Sequence, residues 1–209
     1  MMKRFALSAL AVPLFALAQL GASTTASAQL GNLGGLGNLL SGSSATPSAP
    51  AAAESGSSAA ATYKHTERKF HFTIPAGWAK VSGELNADSM IFRKVGTTRH
   101  FQFHSTAMAA SFPAETSVSA SLNSAKQDVK LGKNLAAKRR DDKCESNPKQ
   151  LCARGWELID NGESGPQRII WQAYDKSNTL YNFMASAEKA EFADARAELQ
   201  TIVDSIKFE

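Results

Sequence analysis

Past its first twenty residues the chain contains no second long apolar run, so nothing downstream predicts a membrane span. Charge of one sign is also missing. The full chain carries 23 Lys+Arg against 19 Asp+Glu. Lys3 and Arg4 lie in the first four residues, and without them the balance falls to 21 against 19. A net of +2 is a mixed, solvated surface and excludes the field of a dedicated nucleic-acid binder. The G-x-S-x-G and H-E-x-x-H motifs, a phosphate-cradling glycine loop before a helix and an EF-hand loop are all absent, so no motif assigns a catalytic residue, a metal or a cofactor. Gly31 to Gly37 is glycine-rich but is followed by no helix of the right kind.

What the first residues do contain is a leader. Lys3 and Arg4 are followed by an apolar stretch from Phe5 to Leu20 and by Ala26-Ser27-Ala28, the small-x-small pattern that signal peptidase reads. The expectation is a cleavable signal peptide over 1–28 and a periplasmic or secreted destination. The residue after the cleavage site is Gln29 where a lipoprotein needs Cys, which predicts no lipid anchor.

The chain has only two cysteines, Cys144 and Cys152. An even number in an exported chain predicts an intramolecular disulfide. Asn147-Pro148 between them is a turn signal that folds one cysteine back on the other. Loop closure over so short a ring contributes about 2.5 kcal/mol.

Residues 29–62 are Gly/Leu-rich and then Ala/Ser/Pro-rich, with Glu54 the only charge, and predict a flexible linker. Leu30, Leu33, Leu36, Leu39 and Leu40 recur near helical spacing, but four glycines within Gly31–Gly37 oppose a helix. The folded domain is expected over 63–209. Alternation predicts strands at Phe70–Ile74, Ser89–Lys94 and Arg99–Thr106. In the last of these, Phe101 and Phe103 face one side and His100, Gln102 and His104 the other. A helix is expected from Glu115 to Leu131 on a Val118, Leu122, Ala125, Val129 stripe, capped by Thr116 or Ser117 and ended by Gly132. Strands follow at Leu135–Lys143, Leu151–Ile159, Arg168–Tyr174 and Thr179–Ala187. A closing helix is expected over Glu188–Lys207, burying Phe192, Ala195, Leu199, Ile202, Val203 and Ile206, with Glu198 on the opposite face. The strand–helix–strand–helix order predicts an α+β domain, an antiparallel sheet flanked by helices.

Two stretches, Phe70-x-Phe72-x-Ile74-Pro75-x-Gly77-Trp78 and Leu199-x-x-Ile202-Val203-x-Ser205-Ile206-x-Phe208, resemble the PsbP/DcrB-like group. That group includes an extrinsic subunit of photosystem II, a Ran-binding protein, bacterial envelope lipoproteins and secretion-effector chaperones. The resemblance implies an α/β/α sandwich over 63–209. It implies a non-catalytic binding or assembly role with a protein partner in the bacterial envelope. The group shares no catalytic residues, so none is carried over.

Two other function classes stay open on the residues. One is an envelope enzyme with dispersed active-site residues. The other is a metal-handling protein using His71, His100 and His104, each on the polar side of its strand. His100 and His104 stand about 13 Å apart along a strand, too far to share one ion that needs nitrogens at about 2.1 Å. Lys138-Arg139-Arg140 precedes Asp141-Asp142 and reads as a solvated, self-paired strand end or as a contact for lipid headgroups. Trp156, Trp171, Tyr174, Tyr181 and Phe183 read as packing, or as a ligand groove beneath a helix.

Overall fold

A computed structural model describes residues 56–163 and 165–209. The expected signal peptide and residues 29–55 of the expected linker lie outside the described residues. The end of that linker belongs to the fold. Ser57 N donates to the Trp78 carbonyl, Gly77 N donates to the Ser57 carbonyl, and a first strand, β1, spans Ala61–His65. Ala61 and Thr62 pair with Ile74 and Thr73, which is why composition alone misplaces the boundary at Tyr63.

The strands that follow bury alternate residues. Strand β2 (Phe70–Ile74) buries Phe70, Phe72 and Ile74. Strand β3 (Trp78–Ser82) was not anticipated; Trp78 begins it and is buried. Strands β4 (Ser89–Lys94) and β5 (His100–Ala107) form a hairpin. Helix α1 (Ala114–Lys130) starts after Pro113 with no side-chain cap, so neither Thr116 nor Ser117 caps it. Proline suits a helix start because its missing N–H would be unpaired there anyway. Gly132 takes φ +75 just after the helix, the left-handed conformation that ends it.

The strand expected over Leu135–Lys143 is two, β6 (Asn134–Arg139) and β7 (Asp142–Cys144), broken at Arg140-Asp141. The 14-residue β8 (Asn147–Asp160) follows. The reversal between the cysteines is at Glu145-Ser146, and Asn147-Pro148 already belongs to β8. Pro148 is tolerated because that end of β8 pairs only with β7. Strands β9 (Gln167–Asp175) and β10 (Thr179–Ala187) complete the run. Helix α2 (Lys189–Asp204) ends three residues before the expected Lys207. Ser205 stops it: its hydroxyl bonds the Ile202 carbonyl and accepts from Thr73 N. The chain then closes with β11 (Lys207–Phe208), a strand that the expected element order does not contain.

The strands form two antiparallel sheets, β1-β2-β11 and β3-β4-β5-β10-β9-β8-β6, with β7 on β8. One face of the larger sheet carries α2 and the three-stranded sheet, and its core joins Phe101, Phe103, Trp171, Tyr181 and Phe183 to Phe70 and Phe208. Phe70 is fully buried, with its ring 5.3–5.6 Å from those of Phe103, Phe183, Tyr181 and Phe208. Truncating such a residue to Ala costs about 3–5 kcal/mol. The other face carries α1, which buries Val118, Leu122 and Ala125 with Trp156 and Tyr174. The architecture is α+β.

Candidate functional site

Cys144 and Cys152 form a disulfide with Cα atoms 4.9 Å apart. It closes the β7–β8 hairpin beside the chain end, where Glu145 N donates to the Phe208 carbonyl and Phe208 N to Asp142 Oδ2. The hairpin thereby holds β11, and β11 pairs with β2. The bond braces the hairpin whose hydrogen bonds to Phe208 join the two sheets along one side.

The three histidines do not converge. His71 lies on β2 in the smaller sheet, with Nδ1 3.7 Å from Glu145 and 3.9 Å from Glu209 carboxylate oxygens. His100 and His104 lie on β5 in the larger sheet. His100 Nδ1 is 2.9 Å from the Thr98 carbonyl, and His104 Nε2 is 2.9 Å from the Thr106 hydroxyl. Strand alternation placed all three correctly on polar faces, but it could not show that the faces belong to different sheets. Among the described residues, no group of three or more His, Cys, Asp or Glu side chains is placed to hold one metal ion.

The basic run is self-paired. Arg139 bonds Glu115 and Asp141, whereas Lys138 and Arg140 turn to the other face and meet Glu157. The aromatic residues are all buried and divided between the two cores, where they pack.

Glu198 corrects the helical-wheel reading. Its carboxylate accepts from Trp78 Nε1 at 3.0 Å, from Lys94 Nζ at 2.8 Å and from Arg99 Nη1. Burial pushes the Glu198 carboxyl up, but the Lys94, Trp78 and Arg99 hydrogen bonds outweigh it and hold the group below its ordinary value. Nearby, Glu191 accepts from Thr98 and Arg99, which hold its carboxyl at about 2. These two glutamates clamp the β4–β5 hairpin onto α2.

The histidines on β5 do mark a surface. The α1-bearing face of the larger sheet is covered only over β6 and β8, with Tyr174 and Leu180 at the boundary. Over β4, β5 and the stretches of β10 and β9 beyond Leu180 and Tyr174, no described helix makes an extensive contact with that face. Cross-strand register arranges the side chains there in three rows. One is Arg93, His100, Ser186 and Arg168; the next is Ile91, Gln102, Met184 and Ile170; the third is Ser89, His104, Asn182 and Gln172. The middle row is half-buried throughout. In the third row Gln172 Nε2 donates to Asn182 Oδ1 at 2.7 Å, and Trp156 Nε1 donates to Gln172 Oε1 at 3.2 Å. Arg168 is held by Asp160. Sequence reading found His100, Gln102 and His104 on this face. It missed Met184, Ile170 and Asn182, whose outward direction was legible from alternation but whose neighbours depend on register.

No family model and no curated protein matches this chain. Its structure is similar to the solution structure of cyanobacterial PsbP (CyanoP) from Synechocystis sp. PCC 6803, at 12% sequence identity and a TM-score of 0.47. The likeness covers 81% of this chain and 99% of that chain and concerns the fold alone.

Proposed function

We propose that this chain is an exported, non-catalytic binding module of the bacterial envelope. Its partner is a protein that lays an extended segment across the open rows of the larger sheet. The observation that carries this reading is the middle row: Ile91, Met184 and Ile170, half-buried, with the side-chain amide of Gln102 among them and those of Asn182 and Gln172 in the row beside. Apolar contacts among hydrogen-bonding amides suit a polypeptide better than a charged polymer. Size supports a segment. Four strands and three rows span about 14 Å in each direction, well short of the roughly 800 Å² that each folded partner contributes to a standard interface. Two or three apolar side chains at alternate positions would cover the middle row.

Export rests on the leader and its Ala26-Ser27-Ala28 site, and the disulfide is compatible with an oxidising compartment. Among the described residues no helix is long and apolar enough to cross a membrane. The test is site-specific photocrosslinking in native envelopes. A benzophenone side chain at Gln102 is expected to give a discrete protein adduct that Met184→Asp abolishes. The same group at Ala193, exposed on α2, is expected to give none. No adduct from Gln102, or the same adduct from both positions, would refute the reading.

A further inference from the structure

A cleft of about 340 Å³ lies on the opposite side of the larger sheet, between β6 and α2, lined by Ala136, Lys138, Glu157, Arg196, Gln200 and Asp204 among others. Its floor is the Glu157 carboxylate, whose side chain is only 3% exposed. Lys138 Nζ reaches that carboxylate at 2.9 Å, and Arg140 also bonds it. Arg140 further donates to Asp204 at 2.9 Å and to the Val203 carbonyl at 2.8 Å, with its guanidinium 4.4 Å from the centre of the Trp171 ring. Gln200 Nε2 donates to Asp204 at 3.1 Å and to Glu157 at 3.5 Å. Both acids of the cleft are therefore already engaged, each by at least two donors.

The donors are not used up. Arg196 is exposed at the rim and takes part in no hydrogen bond or ion pair among the described residues, and residues three and four positions away on α2 include no acid. A guanidinium offers five N–H donors and an ammonium three. Lys138 spends one of its three on Glu157. Three cations, Lys138, Arg140 and Arg196, face two anions, Glu157 and Asp204. The lining cations Lys138 and Arg196 balance the two acids, and Arg140 beneath them adds one more, so the group carries a surplus of one positive charge and of unspent donors, in a volume suited to a small ligand.

We propose that this cleft binds a small oxyanion, a carboxylate or a phosphate, free or as the head of a small metabolite. Arg196 and Lys138 hold its oxygens, and Arg140 and Gln200 fix the floor without touching it. Arg196 supplies the forked geometry that such oxygens match. The site faces away from the open rows, so it stands or falls separately from the protein-binding reading.

The test is an NMR titration at low ionic strength with inorganic phosphate and, separately, succinate. Saturable shifts of the Arg196 Nε–H and Gln200 side-chain signals are expected in the millimolar range with at least one of the two. A response to phosphate alone would assign a phosphate head, and to succinate alone a carboxylate. Arg196→Gln is expected to weaken binding about tenfold or more, with the remaining amide spectrum little changed because Arg196 is exposed and makes no hydrogen bond or ion pair among the described residues. Arg99→Lys, a change in the β4–β5 turn that pairs with Glu191 and Glu198 of α2, should leave the affinity alone. No saturable shift with either anion, or equal affinity in Arg196→Gln, would overturn the proposal.

Discussion

Replacing Glu198 by Ala removes more than a surface charge. Trp78 is 2% exposed, so its indole N–H loses its acceptor in a place water hardly reaches. An unpaired buried donor costs about 1–3 kcal/mol. Lys94 and Arg99 lose a shared carboxylate as well; Arg99 retains Glu191, and Lys94 retains no acid partner among the described residues. Exposed ion pairs contribute about 0–1 kcal/mol, and these side chains, 17–28% exposed, sit at or slightly above that range. The sum is about 2–4 kcal/mol. With a urea slope of about 2 kcal/mol/M, the midpoint should fall by about 1–2 M. Glu198→Gln keeps an acceptor for Trp78 and loses only the charge, so about 1 kcal/mol is expected. Ile202→Ala, at a fully buried position on the same helix, gives the scale at about 2–5 kcal/mol. The carboxyl is held below its ordinary 4.5 in the folded state. The unfolded chain therefore protonates first as the pH drops. The contribution is complete above about 4.5 and is lost as pH falls through the folded value. Equilibrium urea unfolding at pH 7 and pH 4 checks both points. If Glu198→Ala moved the midpoint no further than Ala197→Ser on the exposed face, the clamp would contribute nothing and the reasoning would be wrong.

Mass spectrometry of the purified chain should show Cys144 and Cys152 oxidised within one molecule, and replacing both by Ser should lower stability by up to about 2.5 kcal/mol. Hydrogen exchange in that variant should rise first at Lys207 and Phe208, which the hairpin holds. His65 is 3% exposed, its Nε2 has no hydrogen-bond partner, and burial keeps its pKa below 6.5, with the Ala87 carbonyl, Arg68, Glu67 and Asp88 acting as smaller influences. Since the unfolded histidine takes up a proton at higher pH than the folded one, stability should decline as pH drops below about 6.5; a His65→Phe variant should lose that component of the pH profile. Gly155→Ala should destabilise by about 1–3 kcal/mol, because a Cβ there would collide with the Gln172 carbonyl and lie 2.9 Å from Ala173 Cα; thermal unfolding measures it.

Local chemistry determined the parts of this protein that depend on near neighbours in the chain. Alternation marked Phe70–Ile74, Ser89–Lys94 and Thr179–Ala187 with the observed bounds, since a sheet with one buried side writes a period of two into its strands. The helical stripes of Val118 to Ala125 and Phe192 to Val203 were legible for the same reason at a period of 3.6. The cysteine pair was readable because two thiols eight residues apart have few other partners. Strands β1, β3 and β11 were not readable. Each is short, and β11 forms only because Ser205 ends the helix and β2 offers an open edge. The roles of Glu198 and Glu157 also escaped, because a helical wheel or a strand period knows which side a residue faces but not what stands opposite. The register of β10 on β5 alone sets Met184 beside Gln102 and Asn182 beside His104. It also puts His71 on another sheet from His100. The open rows and the charged cleft therefore exist only in the tertiary structure, which brings together residues far apart in the chain, such as Gln102 with Met184 and Arg140 with Asp204.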